Sequence, residues 1–190
     1  MSGPQALDPL SAFRLDDKVV IVTGASSGLG ERFARVADAA GAKLVLSARR
    51  EERLQSLAGE LTNALVVSAD FSSDDAPPAV VEAALDHFGA IDVVVNNAGI
   101  AEAVKAVDDT VDRFRHELQI DLVAPYELAR RSAKWMMENG RPGSIVNIAS
   151  VLGRVAGGNL PMPGYAAAKG GLIQLTRELC LLYTSDAADE

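Results

Sequence analysis

The stretch Lys18–Gly30, KVVIVTGASSGLG, joins a run of β-branched residues to a glycine-rich loop and the start of a helical pattern. A continuous apolar run of this kind is typical of a parallel strand that is buried on both faces. The glycines let the backbone turn tightly and approach a phosphate, and the N-terminus of the next helix offers free N–H groups. The candidate contacts to the pyrophosphate of a dinucleotide are Gly24, Ser26, Ser27, Gly28, Leu29 and Gly30.

The spacing of these glycines leaves two interpretations open. Gly24-x-x-x-Gly28-x-Gly30 is not the Gly-x-Gly-x-x-Gly of the commonest dinucleotide fingerprint. Glycines also simply end strands. The position of the loop directly after the first strand favours phosphate binding.

The rest of the chain alternates between short apolar runs and helical patterns. Further strands are predicted at Lys43–Ser47, Ala64–Ser68, Ile91–Asn96 and Gly143–Ala149. Helices are predicted at Gly28–Ala40, around Leu54, Leu57 and Leu61, at Ala79–Phe88, from about Asp112 to Met137, and from about Tyr165. Strands alternating with helices predict an α/β fold with a doubly wound parallel sheet of the Rossmann type.

Composition narrows the class of protein. Apolar residues make up 48% of the 190 residues, as in a globular domain. The net charge of −8 argues against nucleic acid or an anionic membrane as a partner. One cysteine, no signal-peptide pattern and no apolar run of membrane-spanning length predict a cytoplasmic protein. His87 and His116 stand apart on polar helices, so both are predicted to be surface residues and no metal site is expected.

The end of the second strand bears on the choice of cofactor. An acidic residue there would bind the ribose hydroxyls of NAD. This chain has Ala48 at that position, followed by Arg49 and Arg50. Because a guanidinium pairs well with a phosphate, NADP is favoured, with Arg49 as the main contact and NAD as the alternative. The two arginines are also compatible with an ordinary solvated pair at the start of a helix.

Two further strand ends supply candidate cofactor contacts. Asp70 and Phe71 follow the third strand, where Asp70 can accept a hydrogen bond from an adenine amino group or simply form a turn. Asn96-Asn97-Ala98-Gly99 ends the fourth strand. Asn96, Ala98 and Gly99 are predicted to lie against the cofactor, while paired asparagines also suit a turn or a link between strands.

The candidate reacting centre consists of Ser150, Tyr165 and Lys169. Tyrosine is a poor base at neutral pH. A lysine four residues later lies on the same helical face, and its charge favours the phenolate. Ser150, at the end of the fifth strand, can hold a substrate oxygen near the phenol. Tyr-x-x-x-Lys alone also occurs as an exposed helix pair. The prediction of a reacting centre therefore depends on the motif's position after both the glycine loop and Ser150.

The chain resembles the short-chain dehydrogenase/reductase family over about Lys18 to Leu179. Four motifs in sequence order carry the resemblance: the glycine loop Thr23–Gly30, Asn96–Gly99, Ser150, and Tyr165-x-x-x-Lys169. The resemblance implies that Tyr165 is the acid/base, that Ser150 positions the carbonyl, and that Lys169 both assists Tyr165 and binds the nicotinamide ribose. It implies hydride transfer between NAD(P) and a ketone or secondary alcohol, with 3-oxoacyl-thioester reduction as the default and sugar or polyol oxidation next. It also implies a homo-oligomer, often a tetramer.

Two departures from the family pattern stand out. Asp121 occupies the position of an asparagine that anchors a water beside the lysine, which predicts an active enzyme with a shifted pH optimum. The family's later strands and substrate-covering loop are absent, so the sheet is expected to be incomplete at its C-terminal end. Cys180–Glu190, CLLYTSDAADE, matches a translated sequencing adapter and is expected to be a non-native tail.

The predicted organisation is therefore a loose leader at residues 1–17, a truncated NAD(P)-binding domain at 18–179, and the tail at 180–190. Two other functional classes stay open. Asp121 and the truncation suit a dinucleotide-binding fragment without turnover. An epimerase or dehydratase acting on nucleotide sugars shares Tyr-x-x-x-Lys but has a different glycine spacing.

Overall fold

The structure, a computed structural model, describes residues 11–159 and 161–184. Within the predicted leader, Ser11–Phe13 forms a 3-10 turn. The backbone N–H of Leu15 donates to the carbonyl of Ala40 at 2.7 Å. The described end of the leader is thus bonded to the domain, while residues 1–10 lie outside the described residues.

In the described part of the chain, five strands form one parallel sheet, as predicted. They are β1 Val19–Thr23, β2 Lys43–Ala48, β3 Ala64–Ser68, β4 Val93–Asn96 and β5 Ser144–Asn147, in the order β3-β2-β1-β4-β5. Val20 lies opposite Leu44 of β2 and Val93 of β4, which sets β1 at the centre. The strand order reverses between β1 and β4, and sheets of this kind bind ligands at the carboxyl ends of such strands.

Within the described ranges, six α-helices pack around the sheet. They are α1 Gly28–Ala39, α2 Glu51–Ala58, α3 Ala76–Phe88, α4 Val111–Leu118, α5 Ala124–Glu138 and α6 Pro163–Thr184. A 3-10 turn, Val151–Gly153, links β5 to the loop before α6. No helix in the described ranges combines the length and the apolar character that crossing a bilayer requires.

The core has two layers, one on each face of the sheet. Val20 and Val22 of β1 pack in a cluster with α1 and α2, whereas Val19 and Ile21 pack in a second cluster with α3 and α5. Successive side chains of a strand point to opposite faces, so one β-branched run serves both layers. This is why the strand carries no polar alternation, and all five of its residues are buried.

The long helical segment predicted from about Asp112 to Met137 is helical throughout, with a π-helical turn at Gln119–Val123 between α4 and α5. Pro125 accounts for the π turn, because it has no N–H to donate to the carbonyl of Asp121 four residues earlier. The π turn buries the side chains of both Ile120 and Asp121. Such turns occur frequently at functional sites.

The other differences lie at element ends. Helix α3 begins at Ala76, before rather than after Pro77-Pro78, because proline is compatible with the first helical turn. Leu61 lies beyond the end of α2. The part of the predicted tail from Cys180 to Thr184 continues α6, and residues 185–190 lie outside the described residues.

Candidate active site

The carboxyl ends of β1, β2, β3 and β4 open into a polar cleft of about 360 Å³. Its lining brings together most of the predicted cofactor contacts. The predicted residues in the lining are Gly24, Ser26, Ser27, Arg49, Asp70, Phe71, Ala98 and Gly99. A larger groove of about 570 Å³ lies beside β5 between α5 and α6, and its lining contains no candidate site residue.

The glycine loop has the backbone geometry that requires glycine. Gly24 and Gly28 have φ of +66° and +61°, in the left-handed region that other residues rarely adopt. A Cβ added to Gly30 would overlap the carbonyl oxygen of Gly24. Ser27, the residue before α1, makes no side-chain cap, so the first N–H groups of the helix are not capped by it. The loop therefore forms a close, donor-rich cradle that suits a pyrophosphate.

Thr23 ties the end of β1 to the end of β4. Its Oγ1 accepts from the backbone N–H groups of Asn97 and Ala98, both at 2.9 Å. The Asn97 side chain in turn donates to the carbonyl of Thr23 at 2.9 Å. These bonds fix the two strand ends on either side of the cleft. Of the two interpretations of the paired asparagines, the structure supports a link between strands.

The side chain of Asn96 is directed elsewhere. Its amide donates to the carbonyl of Pro125 at 3.1 Å and to Asn147 Oδ1 at 2.8 Å. Asn96 is 3% exposed and is not part of the cleft lining, which contains Asn97 instead. Asn96, the last residue of β4, thus binds the neighbouring elements, and Asn97, the first residue after the strand, lines the cleft.

Both arginines after β2 line the cleft, but only Arg50 binds the glycine loop. Its guanidinium donates to Ser26 Oγ at 2.9 Å and to Ser27 Oγ at 2.6 Å. Arg49 is exposed and acts on Asp70 by its charge. Sequence reasoning preferred Arg49, since nothing in the order of two adjacent arginines shows which one turns back onto the loop.

Asp70 and Phe71 occupy the same end of the cleft. Asp70 Oδ1 accepts from the backbone N–H of Ser72 at 3.0 Å, and this bond holds the pKa of the Asp70 carboxyl below its usual value. Phe71 is 6% exposed and packs into the core. Asp70 is thus an ionised acceptor in a turn, so the turn and the adenine contact are compatible at one residue.

Tyr165 and Lys169 lie one above the other on α6. The Lys169 ammonium is 5.5 Å from the centre of the Tyr165 ring. The lysine side chain is only 5% exposed, and its Nζ donates to the carbonyl of Ile148 at 3.0 Å. The pair is therefore not the exposed helix pair that the spacing alone would allow, because its cation is buried beneath the phenol.

Asp121 adds a carboxylate to this group. Its Oδ1 is 3.0 Å from Lys169 Nζ, and its Oδ2 accepts from the backbone N–H of Ile100 at 3.0 Å. Burial raises the pKa of the Asp121 carboxyl above its usual value, while the Ile100 N–H and the Lys169 charge oppose that rise. The predicted neighbour of Lys169 is thus in direct ion-pair contact with it.

Ser150 precedes the 3-10 turn that packs on α6. Its Oγ accepts from the backbone N–H of Leu152 at 3.2 Å. The turn lies close to the helix: a Cβ added to Gly153 would be 2.7 Å from the carbonyl oxygen of Lys169. Ser150 keeps its hydroxyl hydrogen available for a second partner, since this bond uses the oxygen only as an acceptor.

Two further predictions concern the histidines and metal binding. His87 and His116 are both exposed, as predicted. Within residues 11–159 and 161–184, no group of three or more His, Cys, Asp or Glu side chains is placed to hold a metal ion.

The chain is similar to dehydrogenases of known sequence and structure. It is 33% identical to an L-fucose dehydrogenase from Oryctolagus cuniculus, over 90% of this chain and 59% of that protein. It is also 33% identical to a meso-2,3-butanediol dehydrogenase from Serratia marcescens, over 91% of this chain and 68% of that protein. A short-chain dehydrogenase/reductase from Mycobacterium marinum superposes with a TM-score of 0.87 at 27% identity, over 90% of this chain and 69% of that one.

The extent of the match differs between this chain and its relatives. The chain spans between 48% and 68% of the length of the curated relatives it matches. The family model described as short chain dehydrogenase matches residues 18–186, which is nearly all of the chain. By that match, and by the fold it shares with solved members, the chain belongs to the short chain dehydrogenase family.

Proposed function

We propose that the whole protein is an NADP-dependent oxidoreductase that interconverts a ketone and a secondary alcohol, with Tyr165 as the acid/base. The observation that carries the proposal is the buried Lys169 ammonium beneath the Tyr165 ring, 5.5 Å from its centre. The ion lies on the same sheet edge as the glycine cradle, where a Cβ on Gly30 would fill the space against Gly24.

The chain's own residues divide the work of such a reaction. When bound, the nicotinamide supplies or accepts the hydride. In the direction of reduction, the Tyr165 hydroxyl gives its proton to the carbonyl oxygen as that oxygen becomes an alcohol; in oxidation the phenolate takes that proton back. Ser150 donates its hydroxyl hydrogen to the same oxygen and orients it. Lys169 stabilises the negative charge on Tyr165 and is placed to bind the ribose hydroxyls.

The preference for NADP rests on the charge at the ribose end of the cleft. Ala48 stands where a carboxylate would repel a 2′-phosphate, and two guanidinium groups line the cleft beside it. Arg50 already lies on Ser26 and Ser27, at 2.9 and 2.6 Å. We assign it the main phosphate contact, with Arg49 adding charge. NAD is the alternative cofactor.

The substrate class is a small carbonyl or alcohol compound. The 3-oxoacyl thioesters stay a candidate from the family resemblance alone. Relatives named for L-fucose, meso-2,3-butanediol and 2-dehydro-3-deoxy-D-gluconate make sugars and polyols the better-supported class. A homo-oligomer and a cytoplasmic location are part of the same proposal, and they rest on the family and on the composition.

A non-catalytic dinucleotide-binding protein is the second candidate, since the Asp121 carboxylate lies 3.0 Å from the Lys169 ammonium. Oxidation of NADPH and of NADH is measured with the chain on a panel of sugars, diketones and 3-oxoacyl thioesters, with Tyr165→Phe as the matched variant. NADPH oxidation that disappears in Tyr165→Phe while cofactor binding persists supports the oxidoreductase. Tight cofactor binding with equal, negligible turnover in both proteins supports the binding protein.

A further inference from the structure

Asp121 and Lys169 form a buried ion pair next to the reacting phenol. Asp121 is fully buried, and the Lys169 side chain is 5% exposed. The pair is held from both sides, because Ile100 N–H donates to Asp121 and the Ile148 carbonyl accepts from Lys169, each at 3.0 Å. A carboxylate in this position changes the net charge that acts on the Tyr165 phenol.

The packing leaves little freedom for the pair to separate. A Cβ added to Gly99 would lie 2.5 Å from Asp121 Oδ1 and 3.5 Å from Lys169 Nζ. The loop after β4 therefore passes close to both charged groups. Because Asp121 is fully buried and the Lys169 side chain is 5% exposed, solvent ions screen their interaction less than that of a surface pair.

The other charged groups near the pair have partners of their own. From α4, Glu117 is 1% exposed; its Oε1 accepts from Glu102 N–H at 3.2 Å, and its Oε2 lies against Gly164. Arg113 of α4 pairs with Glu102 and Asp109. From α6, Lys169 faces Asp121, and its ammonium is 5.5 Å from the centre of the Tyr165 ring. Among the described residues, Asp121 is the carboxylate in ion-pair contact with Lys169.

An unpaired ammonium near a phenol favours the phenolate, because it stabilises the negative charge. A carboxylate 3.0 Å from the ammonium gives the pair a net charge of zero and weakens this effect. We propose that Asp121 is a positioning residue of the reaction, whose carboxylate offsets the charge of Lys169 and moves the working range of Tyr165 to more alkaline pH. This inference rests on the proposed function, since it concerns the acid/base of that reaction.

The first test is the pH dependence of alcohol oxidation by the chain, in which the phenolate is the active form. Asp121→Asn keeps the shape and removes the charge, and it should shift the acid limb of the profile to lower pH by about one unit. Asp121→Ser, which is neutral and smaller, should shift the acid limb in the same direction. It replaces Asp121→Asn in this test if the Asn variant folds poorly. The matched control is Asp92→Asn, which removes a buried carboxylate paired with the partly exposed Arg141 just before β4 and should leave the limb where it is.

The second test needs no turnover. The phenolate absorbance of the free chain is titrated in the wild type and in Asp121→Asn, each with and without Tyr165→Phe, so that the difference isolates Tyr165 from Tyr126 and Tyr183. The midpoint assigned to Tyr165 should fall by about one pH unit in Asp121→Asn. An unchanged or higher midpoint overturns the inference, because Asp121 then carries no charge that Tyr165 senses. Absence of oxidation with a lowered midpoint counts against the proposed function alone.

Discussion

Gly30 packs against the carbonyl oxygen of Gly24 so closely that a side chain at position 30 would overlap that oxygen. The contact closes the loop between β1 and α1 and brings the helix N-terminus up to the cleft. A glycine at position 30 of the Gly24-x-x-x-Gly28-x-Gly30 pattern is thus what permits this close approach beside the proposed phosphate site. The same neighbourhood includes the Asn97 amide, 2.6 Å from where the Gly30 Cβ would stand.

Gly30→Ala should therefore weaken dinucleotide binding. The backbone must shift to admit the methyl group, at a cost of about 1–3 kcal/mol, and the shift opens the cradle. We expect the dissociation constant of NADPH, measured by fluorescence titration, to rise about tenfold or more. Gly59→Ala is the matched control, since its Cβ would make only ordinary contacts of 3.5 Å or longer. Equal affinities in the two variants would show that the cradle does not hold the cofactor.

Arg50→Ala should reduce the affinity for NADPH much more than the affinity for NADH. The guanidinium held on Ser26 and Ser27 can pair with a 2′-phosphate, and a charge-assisted bond of this kind contributes about 1.5–3 kcal/mol. Calorimetric titration with both cofactors measures the difference. Arg53→Ala, an exposed arginine of α2 outside the cleft lining, is the control. A larger loss in Arg49→Ala would return the main contact to Arg49.

Asn96→Ala should lower stability and leave cofactor affinity nearly unchanged. The variant removes two bonds that connect β4 to Pro125 and to Asn147 of β5. Leaving buried partners unsatisfied costs about 1–3 kcal/mol in the free energy of unfolding, measured with urea. A variant as stable as the wild type that has lost cofactor binding would place Asn96 in the cleft after all.

Asp92→Asn should remove part of the acid sensitivity of the fold. Burial opposes ionisation of Asp92, but bonds from Arg141 and the Val19 N–H, together with the Lys18 charge, outweigh it and hold the pKa of this carboxyl below 3.8. The stability that Asp92 contributes is therefore present above pH 3.8 and is lost as the pH falls through the lower folded-state value.

At neutral pH the Asp92→Asn variant should lose about 1–3 kcal/mol in the free energy of unfolding. The figure stays below that for a fully buried pair, because Arg141 and Lys18 are 40% and 48% exposed and water can solvate them. Urea unfolding from neutral to acid pH measures both quantities. Parallel curves for variant and wild type, with no convergence in acid, would contradict this account.

Much of the fold follows from local pattern. The strands of a parallel sheet buried on both faces appear as short β-branched runs, and β3 has the predicted bounds. The predicted helical segment from about Asp112 to Met137 is present, but its π-helical turn at Gln119–Val123 was not predicted, because the apolar positions continue across it. Pro125 was the available signal: a proline four residues after Asp121 removes one hydrogen bond of a continuous helix.

The sequence predicts which motifs form the candidate site better than it predicts the individual side-chain contacts within it. The order of the glycine loop, Ser150 and the Tyr165–Lys169 pair follows from the sequence. The choice between Asn96 and Asn97 depends on which side chain faces the cleft. Arg49 and Arg50 both line the cleft, so the choice between them depends on which guanidinium turns back onto the glycine loop. A single sequence contains neither of these contacts.

The most direct test of the central claim follows the hydride itself. NADPH carrying deuterium at the reactive ring carbon, with each face labelled in turn, is incubated with the chain and a responsive ketone. The alcohol is then analysed by mass spectrometry. We predict that the wild type transfers one label from one face to the carbinol carbon, and that Tyr165→Phe, which still binds NADPH, is slower by about 10²–10⁴-fold. Label transfer at the same rate in Tyr165→Phe, or none from either face by a wild type that binds NADPH, would contradict the account.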